Sequence, residues 1–388
     1  MKHSKSKNFK KDKSYWRAVA IMIGYIVGVG MFGLPFITSK TGVLLFFFYL
    51  FFLGFVQYFV HLVYANMIIA TEDYHRLPGY VNIYLGKAGK HLVFVSKLLG
   101  NYGALLAYII ISGIFLDQLL GNVLGGSPFV YASIMFFMEA IIVLFGVQLI
   151  TRVELYMSAL LFIVVVMIAF KSFFYAEFSN FLLFDWKYLF LPYGVMLVAL
   201  DGNSTLPIVS KIVRRHPEKF KSVIRTSMFL SILVIIIFVL SIVGISGATT
   251  SEDALSGVKI IIDNGVVRFA LIFGLFSMMT SVLGVAESLR ETFLWDYKIN
   301  KKLSWFLAVA IPYIFYCLGF DSLIAVIGLS GALAGGFSAI MLIFAFMNMR
   351  AQKNDLTMFK RAVSDRFFYF IIFLFVSGIG YTLLTFFN

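Results

Sequence analysis

Apolar runs of about 20 residues, the length that carries a helix across a bilayer, recur from one end of this 388-residue chain to the other. Eleven of them centre near residues 27, 56, 106, 139, 163, 199, 235, 279, 311, 335 and 377. No other feature restricts the fold as strongly, because backbone exposed to lipid survives only as a helix or a closed barrel. Barrel strands alternate apolar and polar residues over about ten positions, and "SILVIIIFVLSIVGI" at 231–245 does not. Composition agrees: the chain is 61% hydrophobic and 13% charged, whereas a soluble domain has roughly 45–50% and about 25%. The expected class is an all-α polytopic membrane protein with eleven transmembrane helices.

A net charge of +13 invites a nucleic-acid reading, but its distribution reads better as topology. Lys and Arg gather in cytoplasmic loops of membrane proteins. With a cytoplasmic N-terminus, 26 of the 32 basic residues fall in the inside segments 1–17, 71–90, 150–154, 211–225, 290–302 and 350–366. The outside segments hold only Lys40, Lys171, Lys187, Lys259 and Arg268, and Lys97 lies near a helix end. Eleven spans then put the C-terminus outside, in a cell membrane, and no nucleic-acid partner is expected. The first apolar run is too long for a signal peptide and lacks a small-x-small cleavage site, so it is expected to be retained. The lone cysteine, Cys317, cannot form an internal disulfide and is expected to pack within the ninth helix. The stretch "ATEDYHRLPGYVNIYLGKAGKH" reads either as a connector or as a short interfacial helix.

Two of the runs are interrupted. "GVGMFG" at 28–33 has the G-x-G-x-x-G spacing of a dinucleotide-binding turn, but no strand precedes it and no acidic residue follows about twenty positions on. It sits inside an apolar run, with Pro35 just beyond. The sixth run breaks at "LDGNSTLP", residues 200–207. Backbone groups freed by a break must face protein or a water-filled cavity. The two breaks lie five helices apart, so helices 1–5 and 6–10 form two units of opposite orientation. Paired broken helices in inverted repeats are the best sequence pointer to a secondary transporter's site. The expected divisions are a basic tail at 1–15, a first repeat at 16–175, a second at 187–348, and an added helix at 366–387.

An opened helix presents two ends. The half-helix starting near Met31 offers free N–H groups to a carboxylate. Those ending near Val27 and Leu200 offer carbonyls to an ammonium or metal cation. Together they describe a site for a zwitterionic amino acid, with glycine letting the backbone touch the ligand. Asp201 is the sharpest single residue, since a mid-membrane carboxylate is a functional hypothesis by default. Its open roles are acceptor of the substrate ammonium, carrier of a coupling proton, holder of a cation, or simple cap of the second half-helix. Asn203, Ser204 and Thr205 are cap and turn residues first. Asp117, Glu139 and His61 are further intramembrane polar groups, each either a proton relay or a helix-to-helix hydrogen-bond partner. Glu287 and Arg290, one turn apart, are expected to pair near the inner mouth. Thr280 and Ser281 either bond back to their own helix or complete a sodium shell.

"GYIVGVGMFGLPF", "NYGALLAYIIISGIFL", "LDGNSTLP" and "MTSVLGVAESLRE" resemble the first, third, sixth and eighth helices of the hydroxy/aromatic amino acid permeases, within the amino acid–polyamine–organocation superfamily. The resemblance implies the five-plus-five inverted repeat of the leucine-transporter class, a fold that the general rule for broken-helix transporters is built on. It implies a substrate site lined by Gly28, Gly30, Met31 and Gly33 from the first helix and by Leu200, Asp201, Gly202 and Asn203 from the sixth. It also implies a sodium site with the Gly24 and Val27 carbonyls opposite Ser277, Thr280 and Ser281. In these permeases the sixth-helix break commonly holds an aromatic residue and a histidine, where this chain reads "LDGN". The expected function is proton- or sodium-coupled import of a neutral, aromatic-type amino acid without any cofactor. A transporter-shaped sensor that binds without translocating is the alternative. A membrane enzyme ranks last, since no H-E-x-x-H, G-x-S-x-G or Cys/His cluster sits at membrane depth and no G-x-x-x-x-G-K-[ST] occurs.

Overall fold

The computed structural model describes residues 13–71, 74–145, 150–213, 218–262, 265–352, 358–359 and 363–387. Most of the expected basic tail therefore lies outside the described residues. The first apolar run forms α1 (Lys13–Ile26) and α2 (Val29–Thr41), bent by 50° at Val27 and Gly28. The rest of the first half is α3 (Val43–Ala70), α4 (Leu77–Leu124), α5 (Pro128–Phe145) and α6 (Ile150–Tyr175). The "LDGNSTLP" interruption separates α7 (Pro192–Ala199) from α8 (Leu206–Ile212), with a short 3₁₀ turn at Asn203–Thr205. There follow α9 (Glu218–Ser246), α10 (Leu255–Ile261), α11 (Gly265–Glu291), α12 (Lys301–Cys317), α13 (Leu323–Ser330), α14 (Gly336–Gln352) and α15 (Asp365–Phe387).

By length and apolarity, six described spans can each cross a membrane, and the bent α1–α2 pair makes a seventh. The apolar segments Pro128–Leu144 and Leu160–Tyr175 are shorter. The lipid-facing surface follows helical periodicity. Leu44, Phe48, Phe51 and Phe55 line the outer face of α3, each more than half exposed, at the three- and four-residue spacing of one helix stripe. On α15, Tyr369, Phe370, Phe373 and Val376 do the same.

The segment before the third span resolves in favour of a helix. Residues 77–85 are helical, and Gly86 breaks the run with φ 73°, a left-handed conformation that costs glycine nothing. Leu77, Pro78, Tyr80, Val81 and Tyr84 are buried against the protein. Cys317 differs from expectation: it is the last residue of α12 and is exposed.

α4 is the spine of the bundle, touching α5, α11, α12, α13 and α14. Around it the helices pack in matched pairs. α1 lies on α6 and α9, as α7 lies on α13 and α3. α4 lies on α5 and α12, as α11 lies on α12 and α5. α14 lies on α3, as α6 lies on α9. Between α13 and α14 the chain widens into a π-helical turn, Gly331–Gly335.

Candidate substrate site at the two helix breaks

The two breaks touch each other. A Cβ built on Gly30 would lie 2.7 Å from the Ala199 backbone nitrogen, so the first turn of α2 crosses the last turn of α7 in direct backbone contact. Gly33, one turn on, faces Ile324 and Val195. Both glycines therefore set a close helix crossing. Gly28 differs: the group its Cβ would meet is the Tyr108 hydroxyl, at 3.2 Å. Met31 and Leu200 are buried, as are Val27 and Ala199.

At the second break the freed backbone groups find partners, as buried polar groups must. The Gly202 amide donates to His61 Nε2 at 3.0 Å, which makes Nε2 the unprotonated ring nitrogen. His61, fully buried on α3, is thus a partner of the broken backbone. Asp201 Oδ1 accepts from the Asn203 amide at 3.0 Å and from Asn203 Nδ2 at 2.7 Å. Thr205 Oγ1 donates to the Gly202 carbonyl at 2.7 Å. Gly202 itself packs on Met22 and Ile26 of α1. Asp201 thus closes a turn onto Asn203 with one carboxylate oxygen and does not cap the second half-helix, since α8 starts after Thr205 without a side-chain cap.

Beside the breaks lies a cavity of about 110 Å³. Tyr25 from α1 enters it, as do Leu197, Val198 and Asp201 from α7 and the break. α4 contributes Lys97, Asn101, Ala104 and Tyr108, spaced 4, 3 and 4 residues apart, one face of a helix. Ser330, Gly331, Ala334 and Gly335 close it with the π-helical turn. Ser96 Oγ donates to the Ala334 carbonyl in that turn at 2.8 Å, and π-turns of this kind concentrate at functional sites. A second cavity of about 40 Å³ shares Lys97, Asn101 and Ser204 with the first and reaches Arg76, Ser288 and Thr292. Arg76 pairs with Glu291 at 3.2 Å at its far end, and Arg290 pairs with Glu287 at 2.5 Å, as the spacing predicts.

Of the sequence-predicted positions, Asp201 lines the larger cavity and Asn203 the smaller. Gly24 sits in the last turn of α1 and Val27 in the bend just after it, and Ser277, Thr280 and Ser281 sit on α11. Tyr25 Oη rests against Gly284, one turn beyond Thr280 and Ser281. Thr280 Oγ1 donates to the Ser277 carbonyl at 2.9 Å, leaving its oxygen lone pairs free. No cluster of three His, Cys, Asp or Glu suited to a transition metal occurs among the described residues. Glu139 lies apart, buried on α5 in an apolar niche with Leu105, Val282 and Pro312. Asp117 lines neither cavity.

The cavity residues that sequence reasoning missed are Lys97, Tyr25, Asn101 and the small-residue turn. Lys97 is the consequential one, because its Nζ lies 4.0 Å from Asp201 Oδ2. Its signal was present as the Lys97, Asn101, Ala104, Tyr108 stripe.

The sequence matches the model of the tryptophan/tyrosine permease family over residues 11–383. No curated protein has significant similarity to it. The fold is similar to the crystal structure of MhsT in complex with L-phenylalanine, with a TM-score of 0.66 and 16% identity, covering 96% of this chain and 98% of that one.

Proposed function

Because the chain belongs to the tryptophan/tyrosine permease family, and so is a multi-pass membrane transporter in kind, we propose that it is an ion-coupled symporter importing a neutral aromatic amino acid. One observation carries this reading: two broken helices meet at a cavity whose wall holds a carboxylate, a lysine and two tyrosines. The first amides of α2, at Gly28, Val29 and Gly30, lack intrahelical partners, whereas Met31 donates to the Gly28 carbonyl at 3.1 Å, and Gly28 lies where the Tyr108 hydroxyl approaches. They would hold the substrate carboxylate. Asp201 and the carbonyl end of α7 at Leu200 would hold the ammonium. Gly30, Met31, Gly33, Gly202 and Asn203 build this geometry by packing and capping.

The paired packing supports two inverted repeats. Exchanging α1–α2, α3, α4, α5 and α6 with α7–α8, α9, α11, α12 and α13–α14 maps the packed pairs described above onto one another. Counting α1–α2, α7–α8 and α13–α14 once each, and leaving out the seven-residue α10, would make eleven spans, and the inside excess of Lys and Arg favours a cytoplasmic N-terminus and an external C-terminus. The oxygens of Gly24, Val27, Ser277, Thr280 and Ser281 would hold sodium, whose charge, when bound, supplies attraction between α1 and α11. Asp201 would carry a coupling proton in the other case.

Counterflow of labelled L-tryptophan and L-tyrosine in proteoliposomes tests the reading. Exchange that is accelerated by internal unlabelled amino acid is expected. Tight binding with no exchange would instead establish the sensor alternative.

A further inference from the structure

The cavity between the breaks carries two formal charges along its lining, Lys97 from α4 and Asp201 from the α7–α8 break. They face each other at 4.0 Å, with side chains about a fifth and a third exposed. That distance exceeds the 2.7–3.2 Å of a hydrogen-bonded N–H···O pair. Asp201 Oδ1 is already held by Asn203, so Oδ2 is the oxygen turned to the lysine. The two groups stand on different elements, and the cavity opens between those elements.

We propose that Lys97 and Asp201 form a specificity lock that only a zwitterion opens, with Lys97 compensating the ligand's carboxylate alongside the α2 amides and Asp201 taking its ammonium. This rests on the transporter reading of the same cavity. The argument is one of charge balance. The lining is neutral because each side chain compensates the other. A zwitterion replaces one resident pair with two and leaves no charge alone. An amine engages Asp201 but displaces Lys97 from its partner, and an acid engages Lys97 but strands Asp201. Leaving one member of a desolvated pair uncompensated is strongly unfavourable, although partial exposure softens the effect here. The site therefore rejects singly charged analogues through a resident repulsive element, by a factor on the order of 10–100 in affinity.

The experiment measures binding of L-tryptophan, tryptamine and indole-3-propionate by ligand-dependent thermal stabilisation of the purified full chain. Wild type should bind the amino acid and reject both analogues. Lys97→Gln leaves only the carboxylate and should gain tryptamine, still rejecting the acid. Asp201→Asn leaves only the ammonium and should show the reverse. The Lys97→Gln/Asp201→Asn double variant stays charge-balanced and folds even where a single variant does not; its preference for the zwitterion should collapse to within about threefold. Tryptophan binding by wild type with no analogue gained in either single variant, and full zwitterion preference in the double, overturns the lock alone. A wild type that binds no amino acid overturns the transporter reading and the lock together.

Discussion

Gly30→Ala is the sharpest probe of how the site is built, because it tests whether the two broken helices really touch. The added Cβ would sit 2.7 Å from the Ala199 nitrogen, 2.8 Å from its Cα and 3.1 Å from its Cβ. Carbon atoms in contact prefer about 3.5–4.0 Å, so something must move by nearly 1 Å. The obstacle is backbone, which cannot rotate away. Overpacking of this kind costs typically 1–3 kcal/mol, and the upper half applies here. Exchanging glycine for alanine within a helix recovers about 1 kcal/mol. The net loss should be about 1–2 kcal/mol. The displaced segment is the last turn of α7, which carries Leu200 and Asp201, so substrate affinity should fall on the order of 10–100-fold, as misplacements near 1 Å do. Gly33→Ala is the control, since its Cβ meets the Ile324 Cδ1 at 3.0 Å, the end of a flexible side chain. That variant should lie within about 0.5 kcal/mol of wild type, the usual range for a mild substitution. Thermal unfolding in detergent and L-tryptophan binding read both quantities. A Gly30→Ala protein with wild-type melting and affinity, or one milder than Gly33→Ala, would refute the crossing.

Two further expectations concern topology and coupling. Tags after Lys2 and within 211–222 should be cytoplasmic and a tag at Asn388 external; a cytoplasmic C-terminus would overturn the count of eleven spans. If Asp201 carries the coupling proton, Asp201→Asn should still exchange tryptophan across the membrane but fail to concentrate it, and accumulation at the wild-type level would end that role. If sodium couples instead, Thr280→Val should abolish the stimulation by sodium, whereas Asp201→Asn should bind more weakly yet remain sodium-stimulated, so the two variants together separate the cases.

The breaks were readable in the sequence because helix-breaking residues inside a 20-residue apolar run have no reading that leaves the backbone satisfied in lipid. "LDGNSTLP" is such a run, and α7 does end at Ala199. What surrounds a break is another matter. His61 at the Gly202 amide and the π-turn at Gly331–Gly335 depend on which helices are neighbours, and a string of small residues reads as ordinary helix. The glycines of "GVGMFG" show the same limit in miniature. Gly30 and Gly33, one turn apart, share the packed face of α2, whereas Gly28 precedes the helix and meets a hydroxyl. Lys97 shows a related limit: its stripe with Asn101, Ala104 and Tyr108 can be read from the spacing, but not where that stripe points. A lysine near the start of an apolar run usually turns its head toward the interface. Here 11 residues, about 16 Å of helix, separate it from Tyr108, and both nonetheless line one cavity. Its head lies 4.0 Å from Asp201 across that cavity. The residue types at a break thus declare a site, and the element packed against the break decides which charges the site contains.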